Sequence, residues 1–99
     1  MLKITSKVEG EKASISLEGK LDTNSARDFN DEVMPILDTV KKLVLDFENL
    51  EYISSAGLRV LLVVIKKMNE AGSMKVINVN ESVMDILDMT GISDDLVIE

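Results

Sequence analysis

Ninety-nine residues give one domain, 1–99, and a chain of this size buries at most roughly two-thirds of its unfolded surface. Apolar residues make up 45% and charged residues 29%, a globular composition too hydrophobic for an intrinsically disordered chain. Eighteen acidic residues against eleven basic ones, a net charge of −7, and only Phe29, Phe47 and Tyr52 for stacking argue against direct nucleic-acid binding, which draws on positive charge and aromatic surfaces.

Leu2-Lys3-Ile4-Thr5-Ser6-Lys7-Val8 alternates apolar and polar residues, as does Ala13-Ser14-Ile15-Ser16-Leu17, with Glu9-Gly10-Glu11-Lys12 between them; this predicts a hairpin with one buried face. From Ala26 the period lengthens. Ala26, Phe29, Val33, Ile36 or Leu37, and Val40 recur every three or four residues, the spacing of an amphipathic helix that Thr23 or Asn24 would cap, with Asp22 before them either a capping acid or part of a binding surface. Pro35 removes a backbone hydrogen bond late in that helix and predicts a kink or an early end.

Leu43-Val44-Leu45-Asp46-Phe47 is almost wholly apolar, as expected of a central strand covered on both faces. A second helix is predicted from Ala56 to Ala71, closed by Gly72, with Leu58, Leu61, Leu62, Ile65 and Met68 on one stripe. Val60, Val63 and Val64 widen the stripe nearly all round, as suits a helix facing a sheet. Lys75 to Val79 reads as a strand, and Asn80 can cap a short helix running to Gly91. In that helix Met84 and Met89 are expected to fill the core unless they are exposed. Leu96-Val97-Ile98 adds a last short strand. The order β-β-α-β-α-β-α-β makes an α/β domain with a mixed, mostly parallel sheet joined by right-handed helical crossovers.

Missing residue types narrow the chemistry. Without cysteine or histidine there is no disulfide framework, no Ser-His or Cys-His nucleophile and no usual zinc ligand, so neither metal nor cofactor is expected. The start MLKITSKVEG lacks a signal-peptide core, and the longest apolar run, Val60 to Ile65, falls far short of the roughly 20 residues that span a bilayer. A cytoplasmic protein without membrane contact is expected. Carboxylate pairs still leave open acid/base chemistry or magnesium binding, with Asp22 and Asp46 the candidates for a small carboxylate-dependent enzyme. Residues 76–99 hold −6 of the total −7, through Glu81, Asp85, Asp88, Asp94, Asp95 and Glu99; such a one-signed segment either steers a basic partner or serves as a solvated face.

In strand-helix units, ligands and partners meet the carboxyl ends of the strands, so the turn after Phe47 is where chemistry would be placed. There Ser54-Ser55-Ala56-Gly57 opens the second long helix, with Ser55 at the expected N-cap. Free N–H groups and the helix dipole favour an anion at such a point. The glycines at 10, 19, 57, 72 and 91 cannot form a dinucleotide fingerprint or a P-loop. A phospho-aspartate receiver would use Asp46, but it needs an acidic pair after the first strand, which is absent here, and usually a longer chain.

Ile53-Ser54-Ser55-Ala56-Gly57-Leu58-Arg59-Val60-Leu61-Leu62, behind an apolar strand and the spacer Asn49-Leu50-Glu51-Tyr52, resembles the signature of bacterial anti-sigma factor antagonists, the stand-alone form of the sulfate-transporter-and-anti-sigma-antagonist (STAS) domain. Leu17-Glu18-Gly19-Lys20-Leu21-Asp22 and Asp88-Met89-Thr90-Gly91-Ile92 extend the resemblance over essentially the whole chain. It implies a non-enzymatic regulator of transcription that works by partner switching. The unmodified antagonist binds an anti-sigma factor that is also a serine kinase and so frees the sigma factor. Phosphorylation breaks the complex, and a metal-dependent serine phosphatase resets it. Aligned on Gly57-Leu58, the phosphorylated serine falls on Ser55, with Asp22, Thr23, Ser54, Ala56, Gly57 and Arg59 on the partner-binding surface and the chain a monomer or weak dimer. Ser54 stands where many members carry an acid, which makes it a rival acceptor, and Ala56 stands where they carry a second hydroxyl. A second reading keeps the fold and drops the phosphate: a STAS scaffold or accessory module, stressosome-like or associated with lipid transport.

Overall fold

The computed structural model describes residues 2–99. In chain order they form β1 (Leu2–Glu9), β2 (Lys12–Leu21), α1 (Thr23–Leu37), β3 (Lys42–Ile53), α2 (Ser55–Ala71), β4 (Ser73–Ile77) and α3 (Glu81–Met89), with a 3-10 turn over Ile92–Asp95. The sheet order is β1-β2-β3-β4; β1 and β2 are antiparallel, and the two pairs that follow are parallel. This is the expected α/β class, with β3 inside the sheet.

The alternation in the first two strands has its physical outcome in the β1–β2 hairpin. Gly10 takes φ +60°, while Glu11 keeps a negative φ, the pattern of a two-residue type II′ turn whose twist matches that of the strands it joins. Such a turn makes Glu9 and Lys12 the hydrogen-bonded pair that closes the loop. The Lys41 and Lys42 amides both donate to the Glu11 carbonyl, at 2.7 and 3.1 Å, and fasten the hairpin tip to the entrance of β3.

Ala13, Ile15 and Leu17 of β2 and Leu43, Leu45 and Phe47 of β3 point to one face and are fully buried. There they meet Phe29 and Val33 of α1, Leu61, Val64 and Met68 of α2, and Val83 and Leu87 of α3 in one core. On the other face, Lys12, Ser14 and Ser16 are exposed and Val44 and Asp46 only partly covered. The helices therefore cover one face, not both as the run Leu43–Phe47 suggested; one apolar residue on the outer side, Val44, was enough to hide the alternation.

Boundaries differ from the expected ones where local caps or tertiary contacts decide. α1 starts one residue earlier than expected: Asp22, not Thr23 or Asn24, is its N-cap, with the Ser25 amide donating to the Asp22 carboxylate at 2.9 Å and the Asp22 amide donating to Ser25 Oγ at 2.8 Å. It ends at Leu37, two residues past Pro35, in keeping with the early end that proline predicts. β4 stops at Ile77, because Asn78 turns to φ +58° and its side-chain amide donates to Asp46 Oδ1 at 3.1 Å. Asn80 caps α3, accepting from the Val83 amide, and donates to the Leu50 carbonyl at 2.7 Å, so one side chain starts the helix and anchors it to the far half of β3. Leu96–Ile98 is not a full strand; Ile98 makes a single parallel bridge with Val76. Met89 is 84% exposed rather than a core filler. Among the described residues no helix is long and apolar enough to cross a membrane.

Candidate functional site

The ends of β2 and β3 lie side by side, Leu21 opposite Ile53, so the residues that follow them, Asp22 and Ser54, enter α1 and α2 at the same corner of the sheet. The Ser54 amide donates to the Leu21 carbonyl at 2.8 Å, carrying the parallel ladder one step into the turn. That bond holds Ser54 in extended backbone (φ −83°, ψ 172°), the conformation of an N-cap.

Ser54 rather than Ser55 is accordingly the cap of α2. Its hydroxyl accepts from the Gly57 amide at 3.2 Å, and the residue is only 8% exposed. Ser55 is the first residue of the helix proper and is exposed. Among the described residues, no hydrogen bond within the chain engages the Ser55 hydroxyl. The two serines thus divide the labour: one satisfies an orphan N–H of the helix start, and the other presents a free oxygen to solvent.

Gly57 brings α2 close. A Cβ built there would stand 2.7 Å from Leu21 Cγ, 3.0 Å from the Leu21 carbonyl oxygen and 3.1 Å from Ile53 Cγ2, so any side chain would push the helix off the two strand ends. The glycine is buried and shapes the corner from beneath.

On the α1 side of the corner, Asp22 is partly buried and Thr23 exposed. The Ser25 amide and hydroxyl both donate to the Asp22 carboxylate and hold its pKa below the usual carboxylate range, the backbone bond being the larger cause. Asp22 is therefore ionised at neutral pH.

Along α2, Ser55, Arg59, Leu62 and Lys66 follow at helical spacing and all are exposed, with Ala56 half-buried beside them. Arg59 lies one turn beyond Ser55 on the same face and takes part in none of the ion pairs among the described residues. Leu62 at 44%, Val63 at 47% and, at the end of β3, Tyr52 at 46% exposed add apolar surface. Leu62 and Val63 were expected in the core. The buried stripe is instead Gly57, Leu61, Val64, Ile65 and Met68; a four-then-three count from Gly57, through 61, 64 and 68, already separates it from Leu62 and Val63.

The alternative carboxylate pair is not assembled. Asp46 lies seven residues before Ile53 along β3, about 23 Å at the rise of a strand, whereas Asp22 follows Leu21, the residue opposite Ile53. Paired catalytic carboxylates stand within about 10 Å. Asp46 instead accepts from the Glu48 amide and from Asn78. Among the described residues no three carboxylates converge on a point that could hold a metal ion.

The family model described as STAS domain matches residues 3–99. The anti-sigma-B factor antagonist of Bacillus subtilis (strain 168) is 26% identical over 81 residues, 81% of this chain and 74% of that protein. An anti-sigma factor antagonist from Mycobacterium paratuberculosis superposes with a TM-score of 0.89 at 17% identity, over 99% of this chain and 85% of that one. The Bacillus cell fate determinant SpoIIAA, solved in its phosphorylated form, superposes with a TM-score of 0.75 at 18% identity, over 100% of this chain and 91% of that one.

Proposed function

The chain belongs to the STAS domain family, and from that premise we propose that it is an anti-sigma factor antagonist whose binding to an anti-sigma factor serine kinase is switched off by phosphorylation of Ser55. One observation carries the assignment to that serine: its hydroxyl is exposed and unengaged at the start of α2, while the neighbouring Ser54 hydroxyl is spent on the helix cap. A kinase can reach Ser55 without undoing any hydrogen bond of the fold. Ser54 as acceptor would lose its cap.

A phosphate on Ser55 brings about −1.5 to −2 charges to a corner that already holds the ionised Asp22. The N-terminus of α2 compensates by only about 0.3–1 kcal/mol, so the protein tolerates the charge and the docking surface registers it. Taking a complex from about 99% to 1% occupancy requires about 5.5 kcal/mol of differential affinity, and burying an unpaired charge in an interface costs several kcal/mol. Tyr52, Ala56, Arg59, Leu62 and Val63 supply apolar and cationic contacts around the serine, and a metal-dependent serine phosphatase returns the chain to its binding form. The protein carries out no catalysis of its own and works in the cytoplasm.

The test is incubation with the cognate kinase and ATP, read by intact mass and binding. The chain gains one phosphate, Ser55→Ala gains none yet still binds, and Ser55→Asp loses binding. Equal affinity of the last two variants for the kinase would remove the switch, and a chain that binds partners but never takes up phosphate is the scaffold instead.

A further inference from the structure

We propose that β1 is a self-association edge, through which a second copy of this chain adds antiparallel to form one continuous eight-stranded sheet. The strand is eight residues long, lies at the end of the sheet, and among the described residues its backbone bonds only to β2. Because the two-residue turn makes Glu9 and Lys12 a hydrogen-bonded pair, the ladder alternates back from it: Lys7, Thr5 and Lys3 bond to β2, and Val8, Ser6, Ile4 and Leu2 aim their N–H and C=O groups outward. Such a free edge is a template for another strand. The tie from Glu11 to Lys41 and Lys42 holds it in place before any partner arrives.

Side chains select the register. Outward groups meet outward groups only if each even-numbered residue faces an even-numbered residue of the partner, which leaves a few alignments two residues apart. With Thr5 opposite Thr5, Lys3 would face Lys7 twice, and with Lys7 opposite Lys7 the repulsion is again direct; like charges in cross-strand pairs destabilise. With Ser6 opposite Ser6, Lys3 faces Glu9 and Glu9 faces Lys3 on the open side of the sheet, and Ile4 faces Val8 on the helix side. Val8 is 47% exposed there, and Ile4 of a second copy would cover it. Glu9 already bonds Lys7 at 3.1 Å and would then be shared between two lysines. The contact is isologous and closes at two copies, and no residue of the Ser55 corner lies in β1.

Sedimentation velocity up to about 1 mM, the range of a weak contact, is the test. The expected result is a concentration-dependent doubling of mass that Ser6→Pro abolishes, since proline deletes an N–H aimed away from β2 and is tolerated on an edge. Lys3→Glu and Glu9→Lys each weaken self-association about tenfold, because each turns both cross-strand ion pairs into like-charge pairs. Mixing the two variants restores pairing: the introduced acid of one chain then faces the introduced lysine of the other, and at the opposite end the unaltered Glu9 and Lys3 meet. A monomer at every concentration would overturn the proposal, as would a dimer indifferent to Ser6→Pro or a mixture of the two charge variants that fails to associate. The charge variants keep the backbone bonds of the β1–β2 ladder, although Lys3→Glu then faces Glu18 and Glu9→Lys faces Lys12 across it; at such exposed positions a like-charge pair costs little fold stability, so the mixing result stands even if the proline variant unfolds.

Discussion

Two adjacent serines differ in role because of one long-range hydrogen bond. From spacing alone either hydroxyl suits the start of α2, and the sequence pointed to Ser55 as the cap; the bond from the Ser54 amide to the Leu21 carbonyl moved the helix start by one residue. That bond joins segments distant in sequence, so no local pattern could reveal it. Ser54→Ala should lower stability by about 0.5–2 kcal/mol, the usual cost of losing a serine cap, and leave the proposed acceptor Ser55 in place; urea unfolding and intact mass after incubation with the kinase would check the two halves separately. Asp22 has a pH signature. Its carboxyl titrates below its ordinary value because Ser25 donates to it, so the unfolded chain binds the proton more readily and the stabilisation is complete only above the usual carboxylate range. It fades as pH falls through the lower native value. The stability gap between the chain and Asp22→Ala, measured by urea unfolding, should be widest near pH 7 and shrink steadily below about pH 4.

At the scale of elements, all three helices and the hairpin could be seen as periodicity, and the misses share a cause. β3 runs to Ile53, well past Phe47, yet its second half reads as a loop because Glu48 and Asn49 both intervene before Leu50. Register shifts against β2 between Ser16 and Glu18 and between Gly19 and Lys20 break the two-residue period, so Leu50 and Ile53 are both buried at a spacing of three. The valine-rich stretch of α2 hid its outer face in the same way: apolar residues on every side leave no contrast to read. Seating α2 depends on Gly57. Gly57→Ala gains helix propensity but drives a methyl group into Leu21 and Ile53, and the expected net loss is about 1–3 kcal/mol, a fall of several degrees in thermal midpoint for a domain of this size. On the proposed function, kinase binding should weaken with it, since the helix that carries Ser55 is pushed off the ends of β2 and β3.

For the molecule as a whole, the sheet has a helix-covered face and an open polar one, and the acidic final quarter spreads over α3 and the segment after it, away from β1. Phosphorylation at an exposed helix start adds charge without unseating any of the buried core, so the phosphorylated chain should keep its fold, with a thermal midpoint within about 8 °C of the unmodified one; calorimetry on the two forms checks this. The corner that carries Ser55 exists only once two parallel strands have come together from separate stretches of the chain. A kinase that recognises this shape is blind to a nascent or denatured copy, so the phosphate mark would count folded molecules alone, and synthesis of damaged protein would pass unrecorded by the switch.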